Sequence, residues 1–273
     1  MKEIKRKGTR STKDIPASIL EQLNKGEIET ANLVEWLAVN QIMLLENVLE
    51  EFDRIEYLKP ILEDIQNLKK HTVNTINEAI GTGILKQEIL NKDKEIFSII
   101  SNHKSDLVRC WSAYVIGKNT ALSIEEILEQ IQLLAADKHF GVREISWLAV
   151  RSCILNNLDK SLEILLKWTS NKDENIRRFA TEATRPRGVW CEHIDVLKKQ
   201  PELGLKILES LKSDSSKYVQ DSVGNWLNDA SKTRPNFVKD LCKKWQIESQ
   251  TKETAYIIKK ALRTIEKELI KQS

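Results

Sequence analysis

The sequence predicts an all-α protein, a superhelical solenoid of two-helix repeats closed at one end by a helical N-terminal cap. Three observations predict it. The 273 residues include only nine glycines and five prolines, with 30% charged and 41% hydrophobic residues, a composition that favours helix. From residue 100 onward one pattern returns: LVRCWSAYVIGK, GVREISWLAVRS, NIRRFATEATRP and YVQDSVGNWLND. Between the copies lie SIEEILEQIQLLAAD, LDKSLEILLKWTSN and PELGLKILESLKSD, with apolar residues at helical spacing.

The N-terminal elements come first. MKEIKRKGTRSTK sets Lys2, Lys5, Arg6, Lys7, Arg10 and Lys13 against the single acid Glu3. Such an arm either neutralises phosphates or is a solvated terminus. PASILEQLNKGE reads as a short helix, with Pro16 in its first turn and Gly26 near its end. ANLVEWLAVNQIMLLENVLEEF reads as one long amphipathic helix, and GTGIL at 81–85 as a turn. A phosphate-cradling role for Gly81 and Gly83 is weak, because no Lys-Ser/Thr follows. The expected division is a cap with a basic arm over 1–95 and a repeat region over 96–273, forming one continuous domain.

Each repeat copy has an acid in the turn before it (Asp106, Asp137, Asp173, Asp214) and then a β-branched residue (Val108, Val142, Ile176, Val219). The steps are 34, 34 and 43 residues, and a weaker copy, AYIIKKALRTIE, places Ile257 another 38 on. This period suits HEAT-like or armadillo-like repeats. Arg109, Arg143 and Arg177 follow the β-branched position directly. Stacked, they form either a basic DNA-binding stripe or an inter-repeat ladder with acids such as Glu144 and Glu174. Net charge does not decide, since 43 basic and 40 acidic residues nearly balance.

No secretory signal is expected, and no apolar run approaches the ~20 residues of a membrane span. Cys110, Cys153, Cys191 and Cys242 are widely spaced and read as free thiols of a reducing cytoplasm. The four histidines lack metal-site spacing, so no metal is expected.

TEATRPRGVW, residues 181–190, interrupts the third copy. Pro186 disfavours helix at Arg185. In repeat register Asp229 falls opposite Pro186, so stacking gathers Glu182, Trp190 and Asp229 at one rim, with Arg185, Arg187 and Lys232 near them. A tryptophan can stack on a cationic ligand. A carboxylate can stabilise an oxocarbenium-like sugar and orient water, and arginines can hold phosphates. These are parts for cleaving an N-glycosidic bond to a cationic base. They are equally the parts of inter-repeat salt bridges and cores.

IRRFATEATRPRGVW followed by YVQDSVGNWLNDASK resembles the HEAT-like-repeat DNA alkylation-repair glycosylases, the AlkC/AlkD group, and AlkC more closely. The resemblance spans roughly residues 100–265. Its sharpest parts are the RPR-x-x-W break and the run Ser222, Val223, Asn225, Leu227, Asp229. It implies a monofunctional, metal- and cofactor-free glycosylase for N3-methyladenine-type bases in double-stranded DNA, acting as a monomer in the cytoplasm and on the nucleoid. It implies that Asp229 stabilises the oxocarbenium and positions water, that Trp190 contacts the cationic base or its sugar, and that Glu182 supports them. Arg185, Arg187, Lys217 and Lys232 join the arginine column as DNA contacts. No immunoglobulin-like domain, which some AlkC proteins carry, is expected within these residues.

One departure stands out. The family carries a further functional glutamate one repeat earlier, and the ungapped register puts Trp147 in that column, with Glu144 nearly one helical turn back. Glu144 then substitutes if the local packing differs, Trp147 serves as an aromatic site wall, or excision is lost. The competing readings are a non-catalytic binder of bent or branched DNA and a protein-interaction scaffold. Trp36, Trp111, Trp168 and Trp245 are expected in the core, Trp226 in core or rim, and His139 in a loop.

Overall fold

The structure, a computed structural model, describes residues 6–272, with side chains to Lys267. Lys2, Glu3 and Lys5 of the basic arm lie outside the described residues. In chain order the α-helices are α1 (Ala17–Asn24), α2 (Leu33–Ala38), α3 (Gln41–Glu51), α4 (Leu58–Gln66), α5 (Val73–Asn91), α6 (Ile96–Ser101), α7 (Asp106–Lys118) and α8 (Ile124–Ala135). They continue as α9 (Phe140–Asn156), α10 (Leu158–Trp168), α11 (Glu174–Glu182), α12 (Asp195–Lys199), α13 (Leu205–Ser210), α14 (Lys217–Ser231), α15 (Pro235–Glu248) and α16 (Lys252–Gln272). No strand occurs among the described residues. The chain forms two compact units, residues 1–122 with 137–149, and residues 123–136 with 150–273.

In the first unit the arm is anchored at Arg6. Its guanidinium forks onto Glu35 at 2.5 and 2.7 Å and reaches the Glu29 carbonyl at 3.0 Å. Burial pushes the Glu35 carboxyl up, but Arg6 and the Ala31 amide outweigh it and hold it below its ordinary value. The helix expected over 31–52 is two helices. Val39 is extended, and the Asn40 side chain accepts from the Ile42 and Met43 amides. An asparagine offers the backbone this alternative to helix and starts the next one.

GTGIL is not a turn but the middle of α5. A Cβ on Gly81 would lie 2.6 Å from the Trp111 carbonyl oxygen of α7, and one on Gly83 would lie 2.6 Å from Ile61 Cγ1 of α4. The glycines let three helices approach closely, so they cradle no phosphate. His139 lies in the bend before α9, as expected of a loop residue, and is buried. Its ring lies 3.2 Å from Asp106 and its Nδ1 accepts the Gly141 amide that opens α9.

All five repeat copies fall on helices: α7, α9, α11, α14 and α16. Val108, Val142, Ile176, Val219 and Ile257 are buried. In the second unit α11, α14 and α16 form one layer, and α8, α10 and α13 form the other. α11 ends nine residues in, and residues 183–200 are inserted as a loop plus α12, which accounts for the 43-residue step. Trp36, Trp111, Trp168, Trp226 and Trp245 are all buried.

The arginine column is a ladder. Nη1 of Arg109, Arg143 and Arg177 donates to the carbonyls six and five residues back, closing the turn that precedes each helix. Nε and Nη2 of Arg109 grip Asp137, and those of Arg177 grip Asp214, at 2.6–3.1 Å. The inter-repeat partners of Arg109 and Arg177 are turn aspartates rather than a glutamate such as Glu174. In the fourth copy Gln220 holds the same position and makes the same bond, to the Asp214 carbonyl.

Gly81→Ala is expected to destabilise the fold by about 1–3 kcal/mol in urea unfolding. Alanine's better helix propensity, about 1 kcal/mol, is outweighed because the nearest obstacle is backbone. A stabilised variant would contradict the packing role.

Candidate active site

The break is built by side chains that replace the helix's own bonds. The Thr184 hydroxyl donates to the Ala180 and Thr181 carbonyls as α11 ends. Pro186 forbids continuation. The loop closes where the Ile194 amide donates to the Pro186 carbonyl at 3.0 Å.

Immediately before the loop lies a buried knot of charge. Arg185 Nη1 meets Glu182 Oε1 at 2.9 Å, and its Nε and Nη2 meet Asp229 Oδ2 at 2.9 and 2.8 Å. Glu182 is 4% exposed and Asp229 2%. Arg178 lies 3.6 Å from Glu182 Oε1, while the Ser222 hydroxyl donates to Oε2 at 2.5 Å. Ser222 shares a 2.6 Å bond with Thr181. The other Asp229 oxygen, Oδ1, faces Lys232 Nζ at 3.2 Å. Burial drives the Glu182 carboxyl up, but Arg178, Arg185 and the Ser222 hydroxyl together hold it below its ordinary value. Arg185 is raised: burial opposes its charge, and Glu182 and Asp229 more than offset that.

Repeat register therefore brings Glu182, Arg185 and Asp229 together as expected. It does not bury Trp190 with them. Trp190 is 72% exposed and sits at φ 59°, a left-handed conformation costing a non-glycine residue about 1–2 kcal/mol. Val189 beside it is exposed too. Arg185 has its donors on two carboxylates and is a charge partner inside the site, which corrects its expected place on a phosphate. Arg109 is equally committed, buried between Asp137 and Glu29. Arg187 is half-buried, and its Nε has no hydrogen-bond partner. Lys232 is partly exposed at the knot's edge.

Lys217 Nζ lies 3.4 Å above the Tyr256 ring, and Arg178 stacks on Tyr218 at 4.2 Å. Trp147 and Glu144 lie in the first unit, where the indole Nε1 donates to Glu144 at 2.9 Å. Trp147 is buried. No group of His, Cys, Asp and Glu is arranged to hold a metal among the described residues, and no helix there is long and apolar enough to cross a membrane.

Sequence reasoning missed Arg151 and Arg178, and singled out Ser222 only as part of the matched run. Arg151 could have been found: it stands nine places after Val142, as Arg185 stands nine after Ile176. Its guanidinium is buried among the loop carbonyls.

A depressed Glu182 contributes stability that is fully present above its ordinary value of 4.5 and is lost as pH falls through its folded value. Wild type should therefore be more stable than Glu182→Gln at pH 7, with the gap narrowing as pH falls below 4.5 in urea titrations. A pH-independent gap would mean that the ion pairs are not its source.

Residues 144–265 match the family model described as DNA alkylation repair enzyme. An uncharacterized Bacillus subtilis protein, YhaZ, is 39% identical over 145 residues, which are 53% of this chain and 39% of that protein. Among solved structures, the Pseudomonas fluorescens alkylpurine DNA glycosylase AlkC, bound to DNA containing an abasic site analog, aligns with a TM-score of 0.64 at 22% identity. That alignment covers 94% of this chain and 65% of the other. AlkD2 of Streptococcus mutans aligns with a TM-score of 0.59 at 24% identity, over 76% of this chain and 96% of its own. The chain thus spans about two-fifths of the Bacillus relative and just under two-thirds of the Pseudomonas chain. The structural likeness shows the helical-repeat fold of AlkC and AlkD2. The resemblance carried by the RPRGVW break and the SVGNWLND run is a match to the DNA alkylation repair enzyme family over residues 144–265.

Proposed function

We propose that this protein is a DNA glycosylase that hydrolyses the N-glycosidic bond of alkylated, cationic bases of the N3-methyladenine type in double-stranded DNA. The observation that carries the reading is the Glu182–Arg185–Asp229 knot beside a loop that holds Trp190 out to solvent. The family match over these residues and the structural likeness to the Pseudomonas alkylpurine DNA glycosylase support it.

A base made cationic by alkylation leaves as a neutral molecule, taking the C1′–N electron pair with it. The departing group needs no proton, so the protein's task is the positive charge that develops on the sugar. Asp229 is suited to it. Arg185 fixes Oδ2, leaving Oδ1, on the Lys232 side, to face the sugar and accept a proton from the attacking water. Glu182 holds Arg185 from the other side and sets its direction. Trp190 presents an indole face on which a cationic base stacks, worth about 0.5–2 kcal/mol. Arg187, Lys217 and Lys232 meet the phosphates. The ladder arginines Arg109, Arg143 and Arg177 support the scaffold. The protein acts without a cofactor, as a monomer, in the cytoplasm.

One observation favours a second reading, DNA binding without excision. Trp147 occupies the column expected to carry a further glutamate, and it is buried against Glu144.

Asp229→Asn is expected to cut release of methylated adenine from alkylated duplex DNA by about 100-fold or more, with DNA affinity changed less than about threefold. Salt-sensitive binding by a wild type that releases no base would establish the second reading instead. Lys217→Ala is expected to lower the slope of log affinity against log salt by about 1. An unchanged slope would remove Lys217 from the phosphate contacts.

A further inference from the structure

The loop from Arg185 to Glu192 has little with which to hold itself. A backbone bond from Ile194 to Pro186 spans it, and it carries an aromatic in a left-handed conformation. Arg185 ties its start into the charged knot, and a second hold comes from α9. Arg151 is 4% exposed, and three of its nitrogens point at three loop carbonyls. Nη1 donates to Ala183 at 2.8 Å, Nη2 to Arg185 at 2.6 Å and Nε to Glu192 at 2.9 Å. The first two carbonyls lie where the chain leaves α11, and the third lies two residues past Trp190. One planar fork therefore ties both ends of the segment that presents the indole. Burial lowers the Arg151 pKa, a measure of how far the guanidinium is withdrawn from water.

The loop also closes over this group. A Cβ on Gly188 would lie 2.3 Å from Cys191 Sγ and 3.4 Å from Arg151 Cζ. Glycine is required there for the chain to fold back onto its own cysteine above the guanidinium.

The geometry points to Arg151 as the positioning residue of the site: it sets where Trp190 stands relative to the Glu182–Arg185–Asp229 knot without touching substrate. This rests on the glycosylase reading for its functional consequence, though not for the anchoring itself. Among side chains, only a guanidinium offers donors on three nitrogens to meet three carbonyls at once. A lysine keeps the charge but offers a single point, so Arg151→Lys and Arg151→Gln should fail alike.

The test uses the whole chain and two readouts. The first is native-state trypsin cleavage after Arg187, identified by mass spectrometry; Arg185 precedes a proline and resists the protease. With the fork lost, cleavage at Arg187 is expected to rise at least about tenfold, while cleavage elsewhere changes less than about twofold. The second is single-turnover release of methylated adenine at saturating DNA, expected to fall at least about tenfold with affinity within about threefold. Gly188→Ala, which forces Cys191 aside without touching the core, should move both readouts the same way. Adding Cys191→Ala should restore both. Cleavage that is unchanged, or faster at every site alike, would overturn the anchoring. A freed loop with undiminished base release would overturn the positioning role. If wild type releases no base, the glycosylase reading fails, and the proteolysis arm still decides the anchoring.

Discussion

The interaction on which the scaffold depends is a guanidinium that holds two turns at once. Arg109 and Arg177 each spend one nitrogen on the carbonyls of the turn before their own helix and two on the aspartate of the next turn. The same aspartates cap locally: Asp137 accepts the His139 amide and Asp214 the Ser216 amide. Hydrogen bonds to charged groups contribute about 1.5–3 kcal/mol, and these pairs are largely shielded from water. Within each unit the clamp fixes how far one copy stands from the next. Side chains of neighbouring copies, Arg185 with Asp229 and Ser222 with Glu182 among them, meet at hydrogen-bond distance only because that spacing is fixed.

The site inherits its position from the scaffold but not its electrostatics. Burying two carboxylates costs several kcal/mol per charge unless partners answer it. Arg185 answers both, with Arg178, Ser222 and Lys232 taking most of the remaining oxygen positions. The result is a fixed field held at its full strength before any ligand arrives, in dry surroundings where such a field is felt most. The exposed indole is the opposite kind of element, held by backbone carbonyls and open to solvent. A rigid charged floor and a presented aromatic suit a ligand that carries its own positive charge.

Much of this was legible in the sequence, for identifiable reasons. The turn acid, the β-branched residue and the roughly 34-residue step report burial and register, and the helices fall where they put them. The same register placed Asp229 opposite the break. It misled where one residue type serves two ends. An arginine in a repeating column reads alike whether it faces phosphate or closes a turn, and the difference lies in carbonyls six residues back that no side-chain pattern reveals. GTGIL read as a turn because glycine usually marks one, whereas here the absent Cβ is filled by Trp111 and Ile61. The helix over 31–52 divides at Asn40, whose capping bond competes with propagation too locally for periodicity to detect. Arg151 was visible only by column number, since its partners are backbone.

The clamp between Arg177 and Asp214 has a consequence for how such a chain can change over time. Those two residues bracket the whole of 183–200, the segment that carries the loop, Trp190 and α12. The frame on either side is fastened across the insertion rather than through it. Arg185, Ile194 and Leu197 within that stretch are held by buried contacts, but its exposed tip around Val189 and Trp190 can vary while the flanking helices keep their register. Descendants of one scaffold can thus diverge in what they recognise, while losing the arginine or its aspartate would erase the scaffold itself.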